Sequence, residues 1–297
     1  MDLRAIFMGL AFALMWSSAF ATARIIVADI PPFTTLALRF AISGALAVGL
    51  ALALGQSWRL TRAQGVAVLV FGLCQNALYL GLNFVALQWI PASVAAIIAS
   101  SMPLIVAALG WAFRGEKVAP LGVVGLCAGF AGVILIMGSR VQGGVDLAGM
   151  GLCVLGACAL AVATLVMRGA SSGGNLLMVV GLQMLVGSAI LTPVAIFNET
   201  LPATVGLPAV LAFVYQICVP GLMATVLWFS LVARIGALRA TTFHFLNPFF
   251  GVAIAATLLG ERVSILDVVG VAVVMVGIYL VQRLPAVAAR IPVDRGG

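Results

Sequence analysis

The sequence predicts an all-α membrane protein of ten transmembrane helices, built as two inverted five-helix repeats. Three observations carry that prediction. Of the 297 residues, 64% are hydrophobic and 8% charged, with mean hydropathy +1.26; this leaves too little polar surface to cover a water-soluble globule. The stretches from Ala92 to Gly138 and from Ala237 to Arg283 are one element written twice without a gap. Pro103 falls on Pro248, Gly115 on Gly260, Glu116 on Glu261, Lys117 on Arg262, Gly125 on Gly270 and Gly132 on Gly277, all displaced by 145 residues. Finally, basic residues stand singly at the ends of apolar runs, which gives the chain a sidedness.

A bilayer span needs about 20 apolar residues, and segmentation at charges, glycines and prolines yields ten. The first three run from Ile6 to Ala28, Phe33 to Leu54 and Gly65 to Trp89. Two more, from Ala92 to Phe113 and Val118 to Gly138, complete the first unit. The second unit holds Leu147 to Met167, Leu176 to Phe197, Leu207 to Val232, Ala240 to Leu259 and Ile265 to Val281. The first span has a competing reading, since Arg4, an apolar run and Ala19-Phe20-Ala21 also fit a cleavable signal peptide. Repeat matching argues against cleavage: Met8-Gly9-Leu10 aligns with Met150-Gly151-Leu152, and Ala21-Thr22 with Ala163-Thr164. The expected organisation is a first repeat over 1–138, a linker over 139–146, a second repeat over 147–283 and a tail over 284–297.

Orientation follows from Lys and Arg. With a cytoplasmic N-terminus, the inside collects Arg4, Arg59, Arg62, Arg114, Lys117, Arg168, Arg234, Arg239, Arg283, Arg290 and Arg295, and the outside only Arg140 and Arg262. That bias puts both termini in the cytoplasm. Five helices per repeat is odd, so the second repeat enters the membrane upside down. Inverted repeats can exchange conformations and open a central site to either face in turn. The formal charge of +7 does not point to nucleic acid, because the basic residues neither cluster nor interleave with exposed aromatics. All five cysteines lie in apolar runs without metal-ligand spacing and read as packing residues.

The residues resemble the drug/metabolite transporter superfamily, in its EamA-type branch of ten-helix exporters. The resemblance rests on Met15-Trp16-Ser17-Ser18, Leu38-Arg39-Phe40, Ala86-Leu87 leading to Pro91-Ala92-Ser93, and the two Pro…Gly-Glu-Lys/Arg units, and covers nearly the whole chain. It implies a multi-pass protein of the bacterial inner membrane that exports amino acids, aromatic ones among them, and related metabolites. Drugs, sugars and nucleotide-linked compounds are the alternative cargoes.

Polar groups at membrane depth must face protein or water, so they mark where a path could run. Gln75, Asn76, Tyr79 and Asn83 share one face of helix three; such residues either line a path or hydrogen-bond between helices. At the matching positions helix eight carries Pro220, Gly221, Ala224 and Trp228, so the expected cavity is polar on one wall and apolar-aromatic on the other. Pro103 cannot donate to the carbonyl of Ala99, nor Pro248 to that of His244. Ser100, Ser101 and Asn247 are near enough in sequence to extend these sites, and a carbonyl left free there could accept from a substrate ammonium. His244, the only histidine, could bond substrate or take up a proton. Trp16, Tyr79, Trp228 and Phe243 are candidates to stack on cargo, whereas Trp89 and Trp111, near span ends, read as interface residues.

Arg24 and Arg39 lie within the first two spans, at a cost of about 2.5–3.5 kcal/mol for an arginine at a span centre. Arg24 can snorkel outward; Arg39, deeper, could bind a carboxylate or a structural partner. Glu116 and Glu261 read as helix-end or gate contacts. No acid falls in mid-span, and no phosphate loop, paired-histidine motif or nucleophile elbow occurs. The expected substrate-binding set is therefore Trp16, Ser17, Asn76, Tyr79, Asn83, Ser100, Ser101, Pro103, Trp228, Phe243, His244, Asn247 and Pro248, around a cavity bounded by helices one, three, four, six, eight and nine. No catalytic residue, metal or cofactor is expected, and the partners are a small-molecule substrate and the lipid bilayer, with the protein a monomer. A membrane-embedded enzyme would need a reactive cluster, and a passive channel a continuous polar lining.

Overall fold

The computed structural model describes residues 3–90, 95, 98–115, 118–138, 146–166, 174–247, 249–251, 253–254 and 265–282. Among these no strand occurs. Helix α1 is Leu3–Val27 and α2 is Pro32–Ala53. Helix α3, Arg62–Ala86, starts three residues earlier than the apolar pattern indicates. The extra turn comes from a capping box, in which Thr61 Oγ1 accepts from the Gln64 amide and Gln64 Oε1 from the Thr61 amide. Then follow α4, Met102–Arg114; α5, Pro120–Gly138; α6, Leu147–Val166; α7, Leu176–Asn198; and α8, Leu207–Ile235. A short α9, Ala237–Thr241, tightens into a 3₁₀ turn at Thr242–Leu246, and α10 is Ile265–Gln282.

Six of these helices are long and apolar enough to cross a bilayer, and three shorter apolar ones lie over Met102–Phe113, Pro120–Leu135 and Val268–Val281. The fourth and ninth spans are less regular than the sequence indicates. Before α4 the helix is interrupted by a turn at Ser101, and Pro103 stands in the first turn of the new helix, where a missing N–H costs nothing. The Gly-Glu-Lys turn begins at Gly115, whose φ of 63° ends α4 in the left-handed conformation glycine adopts freely. Glu116, Lys117, Pro91 to Val94, most of the 139–146 linker, Arg168, Pro248, the Gly260-Glu261-Arg262 turn and the 284–297 tail lie outside the described residues.

Helix α2 shows how such sequences pack without a soluble-type apolar stripe. Leu38, Ile42, Leu46 and Leu50 form an exposed ridge, while Ala37, Gly44, Ala47 and Ala51 are buried. In a bilayer large apolar side chains gain nothing by turning inward, so small residues take the contact and bring backbones close. The buried face of α2 lies along α7, and that of α5 along α10. A Cβ on Gly44 would sit 3.0 Å from the carbonyl of Gly181, and Ser188 Oγ donates to the carbonyl of Ala37 at 2.9 Å. As one number rises the other falls, so α2 and α7 are antiparallel. Likewise a Cβ on Gly125 would meet the carbonyl of Gly277 at 2.9 Å and one on Gly132 that of Gly270 at 2.7 Å, which makes α5 and α10 antiparallel.

Several further contacts recur when five is added to each helix number: α1 packs on α8 and α6 on α3; α4 on α6 and the 3₁₀ turn after α9 on α1; α3 on α7 and α8 on α2. Two local irregularities recur in the same way. α3 carries a π-helical stretch at Gly72–Leu80 and α8 one at Ile217–Met223, whose first residues are again 145 apart. π turns are rare and leave carbonyls badly paired; the carbonyl of Ile217 is met by Ser43 Oγ of α2 at 3.3 Å.

The glycine contacts give a stability test. Gly132→Ala forces a methyl against backbone and should cost about 1–3 kcal/mol, read as a lower unfolding midpoint in detergent. Gly151→Ala, where a Cβ meets nothing within 4 Å, should be neutral or slightly stabilising. Equal behaviour of the two would remove the close approach from the account.

Candidate substrate pocket

The buried faces of α1, α3 and α8 and the 3₁₀ turn after α9 converge on a cluster of aromatic rings. Trp16 of α1 and Tyr79 of α3 stack with centroids 6.2 Å apart and planes 12° from parallel. Phe12, one turn before Trp16, stacks on Trp228 of α8 at 4.7 Å. The His244 ring meets Phe12, Trp16 and Trp228 edge-on at 5.3, 5.9 and 5.2 Å. The side-chain amide of Asn247 joins His244 Nδ1, 3.1 Å away, to Ser17 Oγ, 3.3 Å away. His244 is 1% exposed, so its place is behind the aromatic wall, as the hub that fixes the rings.

A narrow pocket opens on the other side of Trp16. It is lined by Trp16, Ala19, Phe20 and Ala23 of α1, Arg39 of α2, Tyr79, Leu80, Asn83 and Phe84 of α3, Leu87, and Pro220 of α8. The spacing of the α1 set puts it on one helical face. The pocket runs from the Trp16–Tyr79 stack toward the ends of α1 and α3. There Arg24 Nη1 donates to the carbonyl of Ile90 at 3.2 Å instead of snorkelling free.

Arg39 is buried, 3% exposed, and makes one hydrogen bond, from Nη1 to Gln216 Oε1 of α8. Gln216 is held in that orientation because its Nε2 donates to the carbonyl of Ala19 and to Thr22 Oγ1, both at 2.9 Å. Among the described residues neither Arg39 Nε nor the hydroxyl of Tyr79 has a hydrogen-bond partner of good geometry. No acidic side chain lines the pocket among the described residues.

Measured against the expected set, Trp16, Tyr79 and Asn83 lie on the pocket wall, while Ser17, Trp228, His244 and Asn247 form the layer behind it. Phe243 is buried with its ring against Gly9 of α1. Asn76 faces elsewhere: its Nδ2 donates to the carbonyl (2.9 Å) and the side-chain oxygen of Gln183, tying α3 to α7. Ser101 Oγ turns back on the carbonyl of Ile98 at 2.6 Å. Ser100 Oγ donates to the carbonyl of His244 at 3.2 Å, and the Asn247 amide donates to that carbonyl too. The acceptor expected to be left free for an ammonium is therefore capped from within the bundle. Pro103 is buried near the break before α4 and is not on the pocket wall, and Pro248 lies outside the described residues. Through Arg39 the wall draws on α2, which was not expected, and on no residue of α4, α6 or α9, which were.

Phe12, Phe20, Phe84, Leu87 and Gln216 were not expected at the site. Two of them carried a legible signal: Phe12 shares the face of Trp16 four residues on, and Gln216 is a polar residue at membrane depth of the kind already noted in helix three.

The profile of the EamA-like transporter family matches residues 3–138 and again 147–283. The chain belongs to this family and is a multi-pass membrane transporter of a small-molecule substrate. It is 28% identical over 297 residues to the "Uncharacterized inner membrane transporter YedA" of Escherichia coli K12, covering 94% of each chain. It is 26% identical over 272 residues to the "Uncharacterized transporter YvbV" of Bacillus subtilis, covering 91% of this chain and 88% of the relative. "Protein PecM" of Dickeya dadantii is 25% identical over 287 residues, with 93% and 91% covered. A solved crystal structure superposes with a TM-score of 0.76 at 22% identity, covering 94% of this chain and 96% of that one, and so shares the fold.

The two roles seen for asparagine separate by experiment. Asn76→Ala should lower thermal stability by about 0.6–1.7 kcal/mol and leave the half-saturation concentration of transport unchanged. Asn83→Ala should raise that concentration about threefold or more. A transport defect confined to Asn76→Ala would reverse the assignment.

Proposed function

We propose that the protein exports amino acids, aromatic ones included, and related small metabolites across a bacterial inner membrane by alternating access between two inverted five-helix repeats, with both termini cytoplasmic. The observation that carries the reading is that the pocket is built almost entirely from helices of the first repeat, with Pro220 of α8 its one residue from the second; a site set to one side of two paired halves is what one state of an exchanging pair would present.

Three further features support the reading. The family profile matches twice, over 3–138 and 147–283. The antiparallel registers of α2 with α7 and of α5 with α10 fit repeats of opposite direction. The stacked Trp16 and Tyr79 with Phe20 and Phe84 offer a planar, apolar surface of the kind an aromatic side chain would occupy.

Counterflow in proteoliposomes tests the function. Unlabelled phenylalanine loaded inside should accelerate entry of labelled phenylalanine, and Trp16→Ala should lower the initial rate about tenfold or more while inserting normally. Flux without trans-acceleration would indicate a pore. Absence of amino-acid flux by folded protein would turn the search to drugs, sugars and nucleotide-linked compounds.

A further inference from the structure

Among the described residues four buried side-chain atoms have no hydrogen-bond partner: Arg39 Nε, Gln75 Oε1, Tyr79 Oη and Gln183 Nε2. Two of them, on Arg39 and Tyr79, belong to residues that line the same pocket. A cationic group with no counter-charge in a low-dielectric interior is costly. Gln216 supplies Arg39 with a neutral acceptor only, and no carboxylate pairs with Arg39 among the described residues.

The geometry of the guanidinium narrows what could complete the site. Its donors form a rigid planar fork. Nη1 is committed to Gln216, which leaves the edge made by Nε and Nη2, and that edge matches the two oxygens of a carboxylate. Beside it α8 has Gly221, where an added Cβ would crowd the carbonyl of Gln216 at 2.7 Å and Ser43 Oγ at 3.1 Å and lie 3.7 Å from Nε. Tyr79 Oη can donate to the same anion, and its ring is already stacked on Trp16. One guanidinium balances one negative charge, so a carboxylate is matched where a phosphate dianion would stay under-compensated.

For an ammonium the pocket offers little. Arg39 repels it, no acid lines the wall, Asn83 Oδ1 already accepts from Cys153 Sγ at 3.4 Å, and the carbonyl of His244 is capped by Ser100. Resting on the amino-acid export reading, we propose that the cargo is recognised through its carboxylate, by Arg39 and the Tyr79 hydroxyl, with its apolar end against Trp16 and Phe20. The amino group is not read, so arylalkyl monocarboxylates lacking one are carried as well.

The test uses the full-length protein in proteoliposomes, with labelled phenylalanine and labelled 3-phenylpropanoate each measured for self-exchange and counterflow. Phenylpropanoate should trans-accelerate phenylalanine, whereas phenylalaninamide and phenethylamine should compete about tenfold or more weakly. Arg39→Gln should weaken carboxylate competition about ten- to hundredfold, and Tyr79→Phe several-fold, with about equal effect on both carboxylates. If Arg39→Gln does not fold, the wild-type ligand series and Tyr79→Phe decide. Equal competition by acid and amide, with phenylalanine still transported, overturns the carboxylate assignment and leaves the export reading standing. Phenylpropanoate exchange without phenylalanine flux does the reverse, and no flux of either overturns both.

Discussion

Everything in this structure depends on close antiparallel contact between small residues. Within a bilayer no hydrophobic force draws one apolar helix to another, so association must come from backbones near enough for dispersion and for polar groups to meet. Gly44 against Gly181, and Gly125 and Gly132 against Gly277 and Gly270, provide that approach. These two seams hold α2 to α7 and α5 to α10, and each joins helices at equivalent places in the two halves. Once they are set, α1, α3, α6 and α8 have neighbours on fixed sides, and their aromatic and polar residues are pressed into the centre.

The same environment sorts the buried polar side chains by role. Most find partners on a neighbouring helix. Gln64 Nε2 donates to Asn175 Oδ1 at 2.6 Å, Asn76 bonds Gln183, and Gln216 joins α1, α2 and α8. Such bonds are structural, because the alternative for each group is an unpaired dipole in hydrocarbon. The exceptions are informative for the same reason. Of the four side chains with unpaired atoms among the described residues, Gln75, Gln183, Arg39 and Tyr79, only the last two share a pocket, and it is these that the proposed carboxylate would complete. His244 belongs to neither group: its contacts are rings and Asn247, and it acts on the site by setting where Trp16 and Trp228 stand.

Much of this was legible in the sequence, and the misses have physical causes. Apolar runs located the spans, since a bilayer leaves little choice of length, and the 145-residue displacement recurs between the two π-helical stretches, which no pattern in the sequence announced. Helix-face arithmetic found Tyr79 and Asn83, but it could not tell Asn76 from them, because a π turn of nine residues rotates the face and sends Asn76 to Gln183. The proline argument identified the carbonyl of His244 but not its occupant; Ser100 reaches it from 144 residues away, a contact only the fold creates. Arg39 was visible as an oddity. Its meaning came from what does not surround it, which no sequence displays.

The central claim is that the halves are equivalent and exchange. Its sharpest test replaces the five native cysteines, all free, and introduces single cysteines at Ala23, on the pocket wall, and at Leu165, its counterpart in the second repeat. A membrane-impermeant maleimide is then applied from each face in turn. The account predicts labelling of the two sites from opposite faces, with a crosslink that holds the Ala23 side open abolishing reaction at Leu165. Labelling of both from one face, or reactivity at Leu165 that ignores the crosslink, would contradict it.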